Sequence, residues 1–236
     1  MPTMRLDKLL SECGVGSRKE IKQLIKSGRV SVDGSAAASP EQKLDTDKAD
    51  VCLDGKRIAY AKYRYYMMNK PSGVLSATDD GKQKTVLDLT TPEMKKMGLF
   101  PVGRLDKDTT GLLILTNDGD FAHRVISPKS EIVKVYHART ETPVNDADIA
   151  AFADGLTLGD GTKCLPAGLK PLPDGSCPVE VMEGKYHQVK RMLASRGKTV
   201  TELKRLSIGG LKLDESLSPG SFRALEQNEL CSVMRK

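Results

Sequence analysis

Four charged residues crowd into five positions at Arg104, Asp106, Lys107 and Asp108, between Gly103 and Gly111. The glycines predict irregular backbone there. Directly downstream, Leu112 to Thr116 is a continuous apolar run, and Asn117-Asp118-Gly119 follows it. That pattern predicts a strand buried on both faces and closed by a tight turn. A carboxylate on a short loop beside such a strand can be held in one geometry. If it is ionised it can serve as a nucleophile, and a cation facing it keeps it in the charged form. Taken alone, a mixed-charge loop of this kind is more often a solvated turn.

The elements that must position this loop are readable in outline. The chain has 236 residues, enough for one sizeable core or for a small domain plus a medium one. Its net charge of +6 and pI near 9.0 fit a polyanionic partner. With no Trp and four Phe, a sheet that stacks several bases on exposed aromatics is not expected. The five cysteines, Cys13, Cys52, Cys164, Cys177 and Cys231, are scattered and never spaced C-x-x-C. Neither a disulfide framework nor a zinc site is expected, and a reducing cytoplasmic location is the simplest reading. The start of the chain lacks the apolar core of a signal peptide, and no apolar run approaches membrane-spanning length. No P-loop, dinucleotide glycine pattern or metal-ligand cluster is present, and His123, His137 and His187 are dispersed. No cofactor and no metal are therefore expected.

Residues 1–60 read as a separate module. Leu6, Leu9, Leu10 and Cys13 fall on one face of a short helix that Gly14 and Gly16 end. Ser17 starts a second helix, with Glu20 completing a capping box and Gly28 as the carboxy-terminal cap. Ile21, Leu24 and Ile25 form its apolar stripe. Val30 and Val32 then alternate into an Asp33-Gly34 turn. Ser35 to Ser39 is a small-residue stretch and Pro40 a break. Val51 to Leu53 is a short strand before Asp54-Gly55. Residues 1–30 carry seven Lys or Arg against three acids, a net of +4. Lys19, Lys22 and Lys26 share the side away from the apolar stripe, flanked by Arg18. Such a face is either a solvated surface or a tracker of phosphates. The domain boundary falls near Ala59 to Lys62, leaving 61–236 for a second domain.

That second domain opens with a strand candidate, Tyr65 to Met68, then Asn69-Lys70-Pro71-Ser72-Gly73. Asp120 to Ile126 reads as a short helix and Ile132 to Ala138 as extended chain carrying Tyr136. Pro143 to Phe152 reads as a capped helix and Cys177 to Met182 as a strand. Residues 183–205 hold seven Lys or Arg against two Glu, a net of +5.

The run Gly-Arg-Leu-Asp-x-x-Thr-x-Gly-Leu-Leu-x-Leu-Thr-Asn-Asp-Gly closely resembles the central motif of the RsuA/RluA pseudouridine synthases, and within them the small-subunit rRNA branch, RsuA. Asn69-Lys70-Pro71-x-Gly73, Lys134-x-Tyr136 and Glu183-Gly184-Lys185-x-His187-Gln188-Val189-Lys190-Arg191-Met192 resemble its other motifs. Residues 1–60 resemble the S4 RNA-binding domain. The resemblance implies an α+β protein: a small S4 (αL-like) domain, then a pseudouridine synthase domain on a mixed, largely antiparallel sheet. It implies isomerisation of a uridine in 16S ribosomal RNA, without cofactor, by a monomer. In that reading Asp106 is the catalytic carboxylate and Lys190 the cation facing it. Arg104 fills the gap left by a flipped-out base, which costs a few kcal/mol to unstack. Tyr136 stacks on the uracil or moves a proton; whether Asp106 attacks the ribose, attacks the ring or removes a ribose proton stays open. Arg5, Arg18, Lys19, Lys22, Lys26, Arg29, Lys70, His187, Gln188 and Arg191 are expected at the RNA. The rivals are a large-subunit rRNA synthase of the RluB/E/F type and a catalytically silent S4 rRNA-binding protein. The presence of Asp106 weighs against the second.

Overall fold

Leu112, Leu113, Ile114 and Leu115 have no exposed surface, which is the buried strand the apolar run predicts. In the computed structural model this strand is Thr110–Thr116. Residues 3–46, 48–58 and 60–235 are described. They fall into two compact units: Met1–Arg64 with Thr90–Leu99, and Tyr65–Leu89 with Phe100–Lys236. The expected boundary starts at Ala59, which lies outside the described residues.

The larger unit is built on a nine-stranded sheet. Its central order is Gly168–Leu169, Ser176–Val181, Lys134–Thr140, Val200–Ile208, Thr110–Thr116, Tyr65–Lys70 and Phe222–Ala224. Neighbours run antiparallel except Thr110–Thr116 against Val200–Ile208, which are parallel. The sheet is thus mixed and largely antiparallel, as the resemblance implies. Gly111 makes the parallel contact possible. Its φ is +98°, and a Cβ there would lie 2.2 Å from the Arg205 carbonyl oxygen. Any side chain at 111 would push the two strands apart.

Two apolar clusters sandwich this sheet. Phe121, Ala122 and Val125 of the Gly119–Ile126 helix pack with Leu112, Ile114 and Ile208. Val189, Met192 and Leu193 of the Gln188–Ser195 helix pack with Ala138, Val179 and Val181. The Asn117-Asp118-Gly119 signal ends the strand differently from the expected tight turn. Asp118 caps the helix instead, its carboxylate accepting from the Phe121 amide at 3.0 Å. Turn and N-cap use the same residue types, so the sequence alone leaves them degenerate. The long Val200–Ile208 strand was not foreseen, because charged residues break its alternation.

The smaller unit matches its sequence pattern closely. Leu6–Glu12 and Arg18–Lys26 are helices. Ser17 and Glu20 form the full capping box. Ile21 and Ile25 are buried with Leu6, Leu9, Leu10, Val30 and Val32. Asp33 and Gly34 both take positive φ, 50° and 80°, the backbone of a tight hairpin turn. The strands Thr3–Arg5 and Lys43–Asp45, which pair with each other, were not among those expected. Among the described residues no helix is long and apolar enough to cross a membrane.

Candidate active site

Asp106 sits in the turn that precedes the buried strand, and the turn is anchored from below. Thr109 donates its backbone N–H to the Asp106 carbonyl at 3.1 Å. Ser76 Oγ bridges the backbone of Leu105, donating to its carbonyl and accepting from its N–H. The main anchor is Lys70. It has no exposed surface. Its ammonium donates to the carbonyls of Pro71, Asp106, Lys107 and Thr109, at 2.8 to 3.2 Å. Lys70 was expected at the RNA; it is instead interior to the loop that carries Asp106. Burial pushes its ammonium down to about 8, partly offset by the charges of Asp108 and Asp106.

The Asp106 carboxylate projects toward a second element. Lys190 lies on the first turn of the Gln188–Ser195 helix, with Nζ 3.6 Å from Asp106 Oδ2. His187, at the helix start, places Nε2 3.4 Å from Asp106 Oδ1. Lys190 is shared, however. Its shorter contact is to Asp108 Oδ1, at 2.5 Å. That hydrogen bond holds the Asp108 carboxyl below the usual carboxylate range. Asp108 is therefore a competitor for the cation that faces Asp106. Removing Lys190 should cost more than removing its competitor. We expect Lys190→Met to slow single-turnover chemistry about 10²-fold, the scale of one lost preorganised charge contact, and Lys190→Arg to be milder. Asp108→Asn should leave the rate nearly unchanged. Equal losses in Lys190→Met and Asp108→Asn, measured by rapid quench, would make the Lys190–Asp108 pair the functional unit instead.

Asp106 opens into a cleft lined also by Arg104, Tyr136, Val181, His187 and Leu203. Arg104 is exposed and has no hydrogen bond or ion pair with any described residue. Tyr136 is half-buried on the Lys134–Thr140 strand. Its hydroxyl accepts from Arg205 Nη1 at 3.5 Å, and the guanidinium carbon lies 6.0 Å from its ring centroid. Arg205 is itself buried, with Nε donating to the Leu112 carbonyl at 2.8 Å. It therefore ties Tyr136 to the strand that follows the Asp106 turn. Lys134, two positions before Tyr136, is also buried, and burial pushes it down to about 8.

The remaining expected RNA contacts divide clearly. Gln188 is buried; its amide donates to Glu183 at 2.8 Å and accepts from the Lys185 N–H at 3.0 Å. It braces the turn before the helix and is not free for RNA. Arg191 is paired with Asp160 at 2.6 Å. In the smaller unit Arg5 is paired with Asp7 and Glu41, and Arg29 is held by both oxygens of Asp54. These carboxylates already occupy the two arginines. Arg18, Lys19, Lys22 and Lys26 are exposed and have no such partner among the described residues. Sequence reasoning missed Arg205, Ser76 and Asp108. Among the described residues no cluster could hold a metal ion.

A carboxylate facing a lysine, in a cleft lined by a tyrosine, on a mixed sheet preceded in sequence by a cationic helical module, is the arrangement the motifs imply. Residues 64–195 match the RNA pseudouridylate synthase family and residues 4–49 match the S4 domain. The chain belongs to the RNA pseudouridylate synthases: it is an isomerase with an S4 domain. Several relatives match it over nearly its whole length. The uncharacterized RNA pseudouridine synthase YtzG of Bacillus subtilis is 46% identical over 231 residues, covering 96% of this chain and 97% of that protein. The ribosomal small subunit pseudouridine synthase A of Escherichia coli K12 is 41% identical over 236 residues, covering 98% and 100%. A solved pseudouridylate synthase superposes with a TM-score of 0.69 at 34% identity, covering 98% of this chain and 99% of its own.

Proposed function

We propose that this protein converts a uridine of small-subunit ribosomal RNA to pseudouridine, with Asp106 as the nucleophile. The observation that carries the mechanism is the Asp106 carboxylate at the cleft with Lys190 3.6 Å away. The small-subunit substrate rests on relatives of that name that span nearly the whole chain. The reaction breaks the C1′–N1 bond, turns the uracil and joins C5 to C1′. The C5 hydrogen leaves as a proton and N1 gains one, so no cofactor or redox partner is consumed. Asp106 acts in its ionised form beside Lys190. Lys70 and Ser76 hold the turn so that the carboxylate does not move during the step. Tyr136 packs against the displaced uracil, its hydroxyl kept in place by Arg205. Arg104, unpaired and two residues before Asp106, fills the space the flipped nucleotide leaves. All these groups come from one chain, so a monomer suffices, acting in the cytoplasm on rRNA or its precursors.

The test is tritium release. Incubation with small-subunit rRNA labelled at uracil C5 should liberate about one tritium equivalent per RNA, and large-subunit rRNA should liberate none. Release from the large-subunit RNA alone would move the protein to the other rRNA.

The S4 unit supplies affinity, through Arg18, Lys19, Lys22 and Lys26 on phosphates. Replacing all four with Gln spares the Ile21/Ile25 core face. We expect weaker rRNA binding and a shallower dependence of log affinity on log salt, by roughly 0.7–0.9 per lost contact. Unchanged affinity and slope in a filter-binding titration would make this face merely solvated.

A further inference from the structure

Tyr186 is 75% exposed, more than any other large apolar side chain among the described residues. A ring so placed contributes little burial to folding. Yet it is not loose. It stacks on the His187 imidazole, with ring centroids 3.9 Å apart and planes 17° from parallel. That imidazole lines the cleft and reaches within 3.4 Å of Asp106.

The turn beneath the pair is braced at every step. Buried Glu183 accepts from the Leu165 N–H and from Gln188, and pairs with Lys185 at 2.7 Å. Lys185 also donates to the Lys163 carbonyl. Arg191 donates to the Tyr186 carbonyl at 3.4 Å. His187 takes a left-handed backbone, φ 46°, which is costly for a residue with a side chain. The structure therefore fixes a two-ring stack one side chain away from the reacting carboxylate. Its lower ring sits in the site and the outer face of its upper ring is open to water.

We propose that Tyr186 is a stacking platform for an RNA base directly flanking the target uridine. This rests on the reading of Asp106 as the centre of uridine isomerisation. The target nucleotide must enter the cleft to reach Asp106, so it cannot also lie on the outer face of Tyr186. Its neighbour loses a stacking partner when the target flips out. An exposed aromatic face at the rim replaces that partner. Such stacking tolerates any base, because every base has a π-face. It favours purines modestly, through their larger area. Tyr186 thus sets a preference at one flanking position and lowers the cost of extruding the target.

The test uses two RNA hairpins with a loop uridine, carrying 2-aminopurine on its 5′ or its 3′ side. Saturation with the full-length protein should quench fluorescence at one of the two positions and not the other. Tyr186→Phe should retain most of that quench. Tyr186→Ala should abolish it and weaken binding roughly 5- to 150-fold, the range a single stacked base supplies. In turnover on rRNA the Tyr186→Ala loss should fall on KM rather than kcat. Quenching that survives in Tyr186→Ala, or is equal at both positions, overturns the platform. Quenching needs no turnover. A Tyr186-dependent quench without any pseudouridine formation would therefore sink the catalytic reading while leaving the platform standing.

Discussion

Asp106→Asn should abolish turnover, with a loss of about 10⁴-fold or more, while rRNA affinity stays close to that of the parent protein. The substitution keeps the size and removes the negative charge, so the turn and the cleft persist. Loss of a nucleophile has effects on this scale. Binding should survive because the free cations, Arg18, Lys19, Lys22 and Lys26, lie elsewhere in the sequence. The variant also removes the partner of Lys190 and His187. Lys190 keeps Asp108, so no buried charge is stranded. Circular dichroism of the variant should therefore match the parent, and a rapid-quench assay should show no product. Wild-type product formation in Asp106→Asn would remove Asp106 from the chemistry.

Lys70→Met should also be strongly damaging, although Lys70 does not itself line the cleft. Its ammonium has three N–H donors set among four carbonyls of the Asp106 turn and its neighbour. A thioether of similar length supplies none. We expect the single-turnover rate to fall about 10²-fold, as when a catalytic group is misplaced by about 1 Å. Stability should fall by about 3 kcal/mol, because buried carbonyls lose their donor. The same residue gives a pH dependence. Folded Lys70 titrates at about 8, whereas an unfolded lysine titrates near 10.4. Between those values the unfolded state binds more protons, so the Lys70 contribution to stability rises with pH. Lys134, also at about 8, acts in the same direction. Activity should move oppositely. A neutral amine has two donors and a lone pair facing carbonyls, so the turn loosens above pH 8. Burial sets the direction of this value; the charges of Asp108 and Asp106 oppose it, and those of Lys190 and Arg205 add to it. Urea titrations from pH 7 to 10 should show the parent gaining stability relative to Lys70→Met while its rate declines. A rate flat across that range, with an unaltered stability difference, would show that Lys70 stays charged throughout.

What could be read from the chain followed from how local each feature is. The Ser17–Glu20 capping box links residues three apart and was legible. The buried strand was legible because Leu112 to Leu115 leave no polar face. Asp106 and Lys190 were found through motif wording, and the fold brings them together across 84 positions of sequence. Charge identity, by contrast, misled. Lys70 before a proline reads as an exposed turn cation, but its acceptors include carbonyls 36 to 39 residues later. Arg5 and Arg29 counted toward the basic face, yet Glu41 and Asp54, 36 and 25 positions away, occupy them. Arg205 escaped notice because its partner Tyr136 is 69 residues earlier. Periodicity reports which face is buried, but it does not report which cation already has an anion.

The central claim is that Asp106 of this chain makes pseudouridine at a defined place in small-subunit rRNA. Its most direct measurement is carbodiimide modification and primer extension across both rRNAs, after reaction with wild type and with Asp106→Asn. The account predicts a single new stop in small-subunit rRNA with the wild-type protein, and none with Asp106→Asn. A stop confined to large-subunit rRNA, or one that persists with Asp106→Asn, would contradict it.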